Sequence, residues 1–242
     1  MEASDIQEVT EVICREVSVW VTLSHENILP LYGITSDFGN LPALVSPWME
    51  NGSLKDYSLK PGLPDDSASK LAMVSPLSIL HDKGIVHGNL VNTNVLIDNS
   101  GEPRITDFGL SVVLKEQDDA TFNTSFVGNV RWTAPELLDS VPMVGECQEN
   151  APISKPTKAS DIYSFGCIMA YVFEGKIPYH YVKRDAQIIM DISQGINPRR
   201  PMEPAIDDRD WELIQRCWRH EPHSRPSDED VITFVGAYPR SP

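Results

Sequence analysis

Residues 86–97 read VHGNLVNTNVLI. Apolar runs flank a polar loop: Ile85-Val86 enters and Val95-Leu96-Ile97 leaves. Short apolar runs bounded by turn residues read as buried strands. Inside the loop two asparagines, Asn89 and Asn94, stand five apart, and thirteen residues after Asn94 comes Asp107-Phe108-Gly109. The outgoing strand spans Asn94–Asp98, and the turn Asn99-Ser100-Gly101 folds it back onto a second run, Arg104–Thr106.

Upstream, Ser4-Asp5-Ile6-Gln7 fits a capping box, and Ile6, Val9, Ile13, Val17 and Trp20 follow at helical spacing. Together they predict a helix over about 5–23. Strand-like runs follow at 29–35 and 42–47; Asn51-Gly52 is a turn, and Ser53 is placed to cap a short helix. Residues 67–82 are helical in pattern but interrupted by Pro76, since an interior proline costs about 3 kcal/mol or a kink.

Downstream, a long polar loop is expected over 110–131, with the acidic run Glu116-Gln117-Asp118-Asp119 and the hydroxyls Thr121, Thr124 and Ser125. Residues 161–174 are apolar almost all round, which predicts a buried helix ended by Gly175 and Pro178. A further helix covers 185–194. Trp211, Ile214, Cys217 and Trp218 mark one face of the next, and Ser227-Asp228-Glu229-Asp230 caps the last. One helix and a few strands, then a helical body, make an α+β chain with a small and a large lobe.

The 242 residues are 41% hydrophobic, enough for a sizeable core, and suit one large domain or two small lobes. A net charge of −15 repels nucleic-acid phosphates and anionic lipid, so neither is an expected partner. Cys14, Cys147, Cys167 and Cys217 form no CxxC pair, and Cys167 and Cys217 fall in apolar helical patterns as buried thiols. The acidic N-terminus has no signal-peptide pattern and no apolar run reaches the roughly 20 residues of a bilayer span, so a reducing, cytoplasmic setting is expected.

The ordered set Glu16, His87-Gly88-Asn89, Asn94, Asp107-Phe108-Gly109, Ala134-Pro135-Glu136, Asp161-Ile162-Tyr163-Ser164-Phe165-Gly166, Cys217-Trp218 and Arg225-Pro226 resembles a eukaryotic protein kinase domain of the tyrosine-kinase-like group. The resemblance implies a two-lobed fold: a remnant N-lobe over 1–49, up to the hinge, and a helical C-lobe over 50–242. It implies that Asn94 and Asp107 would hold Mg²⁺ against the phosphates of ATP. Ser46 would be gatekeeper, Pro47 and Met49 would offer backbone groups to adenine, and Leu96 would form the floor. Glu136 and Arg225 would form a buried ion pair, and Asp161 would fasten the loop backbone.

Four parts depart from that pattern. Asn89 stands where the family has an aspartate general base; losing such a base typically costs about 10²–10⁴ in rate. Val91 stands where a lysine would steady the transferring phosphate. No lysine precedes Glu16, the first being Lys55. The first glycine is Gly33, so no glycine-rich phosphate loop precedes the helix. Gly88 also replaces an arginine that would read a phosphorylated loop.

Two main readings follow. The first is a pseudokinase, a binding or signalling module with protein partners and weak or absent ATP and Mg²⁺ binding. The second is an active ATP-dependent kinase acting on Ser, Thr or Tyr and represented by an N-terminally incomplete sequence. A third, a decaying gene product, would show a broad, non-cooperative melt.

Overall fold

The structure, a computed structural model, describes Thr10, Ile13, Cys14 and residues 16–36, 42–60, 74–108, 112–113, 129–138 and 154–237. The capping box at 4–7, Cys147, Gly109 and the hydroxyls of the long loop lie outside them.

Helix α1 covers 16–20, with Thr10, Ile13 and Cys14 also helical. It ends earlier than the expected 23. Thr22 N–H and Leu23 N–H fall back to Val19 O and Trp20 O at 3.1 and 3.0 Å, and Thr22 Oγ1 donates to Val19 O at 2.7 Å. Such tightened bonds and a side-chain donor satisfy terminal carbonyls.

Strands β1 (Gly33–Thr35) and β2 (Ala43–Val45) form an antiparallel hairpin, with Gly33 opposite Val45. β1 is shorter than the 29–35 run because Leu29 pairs elsewhere. Its N–H donates to Ile105 O at 2.9 Å, and Ile105 N–H donates to Asn27 O at 2.8 Å. Pro30, with no N–H, cannot extend a ladder.

Ser53 caps α2 (Leu54–Ser58) in a capping box with Asp56. Helix α3 (Val74–Asp82) runs through Pro76, against the expected interruption. The expected helical residues 67–73 lie outside the described set.

Strand β3 (Ile85–Val86) pairs with β6 (Val112–Val113), so the loop expected over 110–131 contains a strand. Strands β4 (Val95–Ile97) and β5 (Pro103–Ile105) form the predicted hairpin, Val95 opposite Ile105. Asp98 holds its turn: Oδ1 accepts from Ser100 N–H at 2.9 Å and Glu102 N–H at 3.0 Å. Its Oδ2 accepts from Arg104 Nη2 at 2.8 Å.

The helical body follows: α4 (Pro135–Leu138), α5 (Lys158–Glu174), α6 (Asp185–Ser193), α7 (Asp208–Cys217) and α8 (Asp228–Gly236). α5 is its axis. A Thr157–Ser160 capping box starts it, and Gly175, at φ 73°, ends it in the left-handed conformation. Its Ile162, Phe165, Ile168 and Met169 enter the main core with Leu77, Leu80, Val95, Ile105, Trp211 and Trp218. α5 and α7 pack closely because Gly166 has no side chain: a Cβ there would lie 2.7 Å from Cys217 Cβ. No helix among the described residues is long and apolar enough to cross a membrane.

Candidate functional site

The opening loop is held from behind by one buried carboxylate. Asp161, in the first turn of α5, accepts from His87 N–H at 2.8 Å and Gly88 N–H at 2.9 Å. It also bonds His81 Nε2 at 2.9 Å, while His81 Nδ1 meets Asp228 at 2.8 Å. Burial disfavours the His81 imidazolium, but the two carboxylates outweigh it and push its pKa up to about 9. The resulting cation bridges α3, α5 and the start of α8. Gly88 sits at φ 77°, a conformation that glycine enters without strain.

His87 is fully buried, and burial lowers its pKa. The neutral ring fits its contacts. Nε2 donates to Thr106 O at 3.1 Å, and Nδ1 accepts from Asn89 N–H at 3.2 Å. Its ring lies 5.4 Å from that of Phe108, which lies 5.8 Å from Trp20 of α1. A column of three rings thus joins α1, Asp107-Phe108 and the loop.

Asn94 braces the loop from within. Its Nδ2 donates to Asn89 O at 3.0 Å, and its backbone O accepts from Thr106 N–H at 3.0 Å. That places Asn94 beside the approach to Asp107. Asp107 has φ 66°, a conformation non-glycine residues adopt infrequently and often at functional sites. Glu16 reaches the same place. Burial raises its pKa, the Asp107 charge raises it further, and a hydrogen bond from Phe108 N–H lowers it. Glu16 is therefore not an orphan: it accepts a backbone hydrogen bond and faces another carboxylate.

Asn89 has a partner that sequence reading missed. Its Oδ1 accepts from Asn129 Nδ2 at 2.8 Å. The recess that Asn89 and Asn129 line with Ser164 and Thr133 holds about 10 Å³, room for about one water molecule. Val91 is buried in the core cluster, so its side chain belongs to the interior. Leu96 bridges to Ser53 and, with Met49, packs half-buried against that cluster. Ser46 and Pro47 follow β2 and are half-buried.

Glu136 and Arg225 meet in two parallel bonds of 2.7 Å. The sequence analysis expected this pair but not the role of Arg131, whose guanidinium donates to the carbonyls of Pro178, Tyr179 and Val182 at 3.1, 2.7 and 3.0 Å. It ties the segment after Asn129 to the chain before α6. Neither Asn129 nor Arg131 carries a local sequence signal, because these partners lie tens of residues away.

A family model of the protein kinase domain matches residues 1–234. The chain belongs to the protein kinase domain family. The kinase domain is 29% identical over 239 residues to ephrin type-A receptor 5 of Rattus norvegicus, covering 94% of this chain and 22% of that protein. It is 30% identical over 245 residues to receptor-interacting serine/threonine-protein kinase 3 of Rattus norvegicus, covering 90% and 47%. It is 26% identical over 227 residues to a serine/threonine-protein kinase of Arabidopsis thaliana, covering 91% and 36%. The chain thus spans less than half the length of each of these relatives. Its fold is the α+β kinase fold, with a small N-lobe and a mostly helical C-lobe. Kinases of this family use ATP with Mg²⁺.

Proposed function

We propose that this kinase domain is a pseudokinase of tyrosine-kinase-like character, a binding or signalling module with impaired phosphotransfer. The observation that carries the reading is the amide pair at the base position. Asn89 has no basicity, and Asn129 engages its acceptor oxygen at 2.8 Å. A substrate hydroxyl arriving there would have to displace Asn129 and would still find no base.

The oxygen donors suit magnesium. Asn94 is held through its Nδ2, its Oδ1 accepts from the Thr93 hydroxyl at 3.3 Å, and Asp107 supplies a carboxylate. Bound there, Mg²⁺ would offset phosphate charge. Ser46, Pro47 and Met49 would meet adenine, with Leu96 beneath. Glu16 brings a second carboxylate toward Asp107, and that like charge opposes the ATP phosphates. On this reading Mg-ATP binds weakly or not at all. The lobes divide at the hinge, 1–49 and 50–242, and protein partners dock on the C-lobe, where Met190 and Ile196 near α6 are exposed.

A second reading, an active protein kinase, is favoured by the assembled column of Trp20, Phe108 and His87. One experiment separates the two. The purified protein is incubated with labelled ATP, Mg²⁺ and generic Ser, Thr and Tyr acceptors, beside Asn89→Asp. The pseudokinase reading expects the wild type at the buffer background, because Asn89 supplies no base. Robust incorporation that Asp107→Ala abolishes would overturn it. A rise of about 10²–10⁴ in Asn89→Asp over the wild type would show that the amide at this position is what limits transfer.

A further inference from the structure

The C-lobe carries a local reversal of the chain's charge. Residues 176–200 hold five of the 20 Lys and Arg but two of the 35 Asp and Glu, on a chain of net charge −15. The segments on either side of α6, 177–184 and 196–200, are bound into one surface. Tyr179 Oη donates to Ile196 O at 2.8 Å, and Arg199 N–H donates to Tyr181 Oη at 3.1 Å. The Arg199 guanidinium lies 4.8 Å from the Tyr181 ring centre, within cation–π range. Behind them Arg131 grips the carbonyls of Pro178, Tyr179 and Val182, which fixes the backbone of this surface.

Its side chains stand in solvent. Ile177, Tyr181 and Ile196 are 39%, 40% and 50% exposed, and Lys183, Arg184 and Arg199 are exposed as well. The carboxylates nearby are engaged: Glu174 with Lys176 at 3.6 Å, Asp208 with Arg200 at 2.6 Å and Asp185 with Arg131 at 3.7 Å, while Asp191 accepts from Gln187 Nε2 at 2.7 Å. Among the described residues no carboxylate pairs with Lys183, Arg184 or Arg199. Lysine and arginine are cations at neutral pH, so positive charge flanks exposed apolar side chains. A nucleic acid or an anionic membrane would reach past this patch to the acidic remainder of the chain and be repelled. A short acidic peptide would meet the patch alone, because screening confines each charge to about 8–10 Å. Exposed aromatic and arginine side chains are also enriched where proteins bind one another.

We propose that this surface docks an acidic peptide segment of a partner protein, its carboxylates toward Lys183, Arg184 and Arg199 and an aromatic or aliphatic side chain against Tyr181. Docking of this kind rests on the reading of the C-lobe as a protein-binding surface and is equally open to an active kinase, so the phosphotransfer assay and a binding assay fail separately.

The test is fluorescence anisotropy of the full chain with a fluorescein-labelled peptide, EEDFDEE, beside its uncharged counterpart QQNFNQQ. At low salt the acidic peptide should bind saturably with a Kd of about 100 μM or tighter, and the uncharged one about tenfold more weakly or worse. At about 0.5 M NaCl the acidic peptide should lose about tenfold as its contacts are screened. EEDGDEE, which lacks the ring, should bind about fivefold more weakly. Lys183→Glu with Arg184→Glu should weaken EEDFDEE about tenfold or more. Lys55→Glu with Lys60→Glu makes the same change of net charge elsewhere on the surface and should leave it within about twofold. Arg199→Ala is a further variant, expected to weaken the peptide about threefold with the urea midpoint unchanged. Absence of saturable binding, equal weakening by the two charge reversals, or unaltered binding in both Arg199→Ala and Lys183→Glu with Arg184→Glu would overturn the proposal. So would displacement of the peptide by phosphatidylserine vesicles or duplex DNA that bind more tightly than it does, which would make the patch a general polyanion surface.

Discussion

At the scale of single residues, two titratable groups, Glu16 and His81, are set by the charges and burial around them. Glu16 faces Asp107 and accepts from Phe108 N–H. A glutamine would keep an acceptor for that N–H and remove both the like-charge repulsion and the cost of burying an anion. Glu16→Gln is therefore expected to melt at or above the wild-type temperature at pH 7 in scanning calorimetry. The raised pKa means that the wild-type side chain stabilises the fold best when protonated. The advantage of the variant should thus fade as pH falls and Glu16 takes up its proton; a clear loss of stability at pH 7 would contradict this account. His81 gives the complementary test. Its folded pKa is about 9, against an unfolded value near 6.5. Its contribution is fully present below about pH 6.5 and lost as pH rises through about 9. Urea midpoints should fall across that window in the wild type, and His81→Gln should flatten the fall.

At the scale of elements, close approach of helices rests on missing atoms and matched charges. Gly166→Ala would gain roughly 1 kcal/mol of helix propensity. It would also place a Cβ 2.7 Å from Cys217 Cβ and 3.2 Å from Trp218. Overpacking of this kind costs about 1–3 kcal/mol, and the neighbouring Cβ is fixed by its helix, so the clash wins. A lowered urea midpoint with unchanged m would show it. The Glu136–Arg225 pair is asymmetric: Arg225 is 1% exposed at its side chain and Glu136 22%. Glu136→Ala therefore strands a buried guanidinium, with carbonyl contacts at Arg219, Ala159 and His220 remaining. Breaking such pairs costs about 3–5 kcal/mol, and those carbonyls should keep the loss near the lower figure in chemical denaturation.

At the scale of the whole molecule, the ring column joins α1 to Phe108 and the loop at His87. Trp20 is buried, meets Phe108, and donates through Nε1 to Leu29 O. Removing it takes away an aromatic and leaves a buried carbonyl without that donor. Trp20→Ala should lose about 3–5 kcal/mol, or uncouple α1 so that hydrogen exchange rises there before it rises in α5. Uniform exchange with full stability would count against the column as the coupling element.

Much of this was legible in the order of residues. The capping boxes at Ser53 and Ser227, the left-handed stop at Gly175, the all-apolar face of α5 and the β4–β5 turn act within a few residues, so local chemistry dictates them. The residue types at Asn89 and Val91 were equally plain. Other features depended on the folded chain. Asn129 meets Asn89 across 40 residues, and His81 meets Asp161 across 80 and Asp228 across 147. A side chain's donors and acceptors are set by its residue type, but which of them meet is set by packing. Burial then decides their charge, as it does for the neutral His87 and the cationic His81. The sequence determined that the base position holds an amide; only the tertiary structure decided that another amide would close over it.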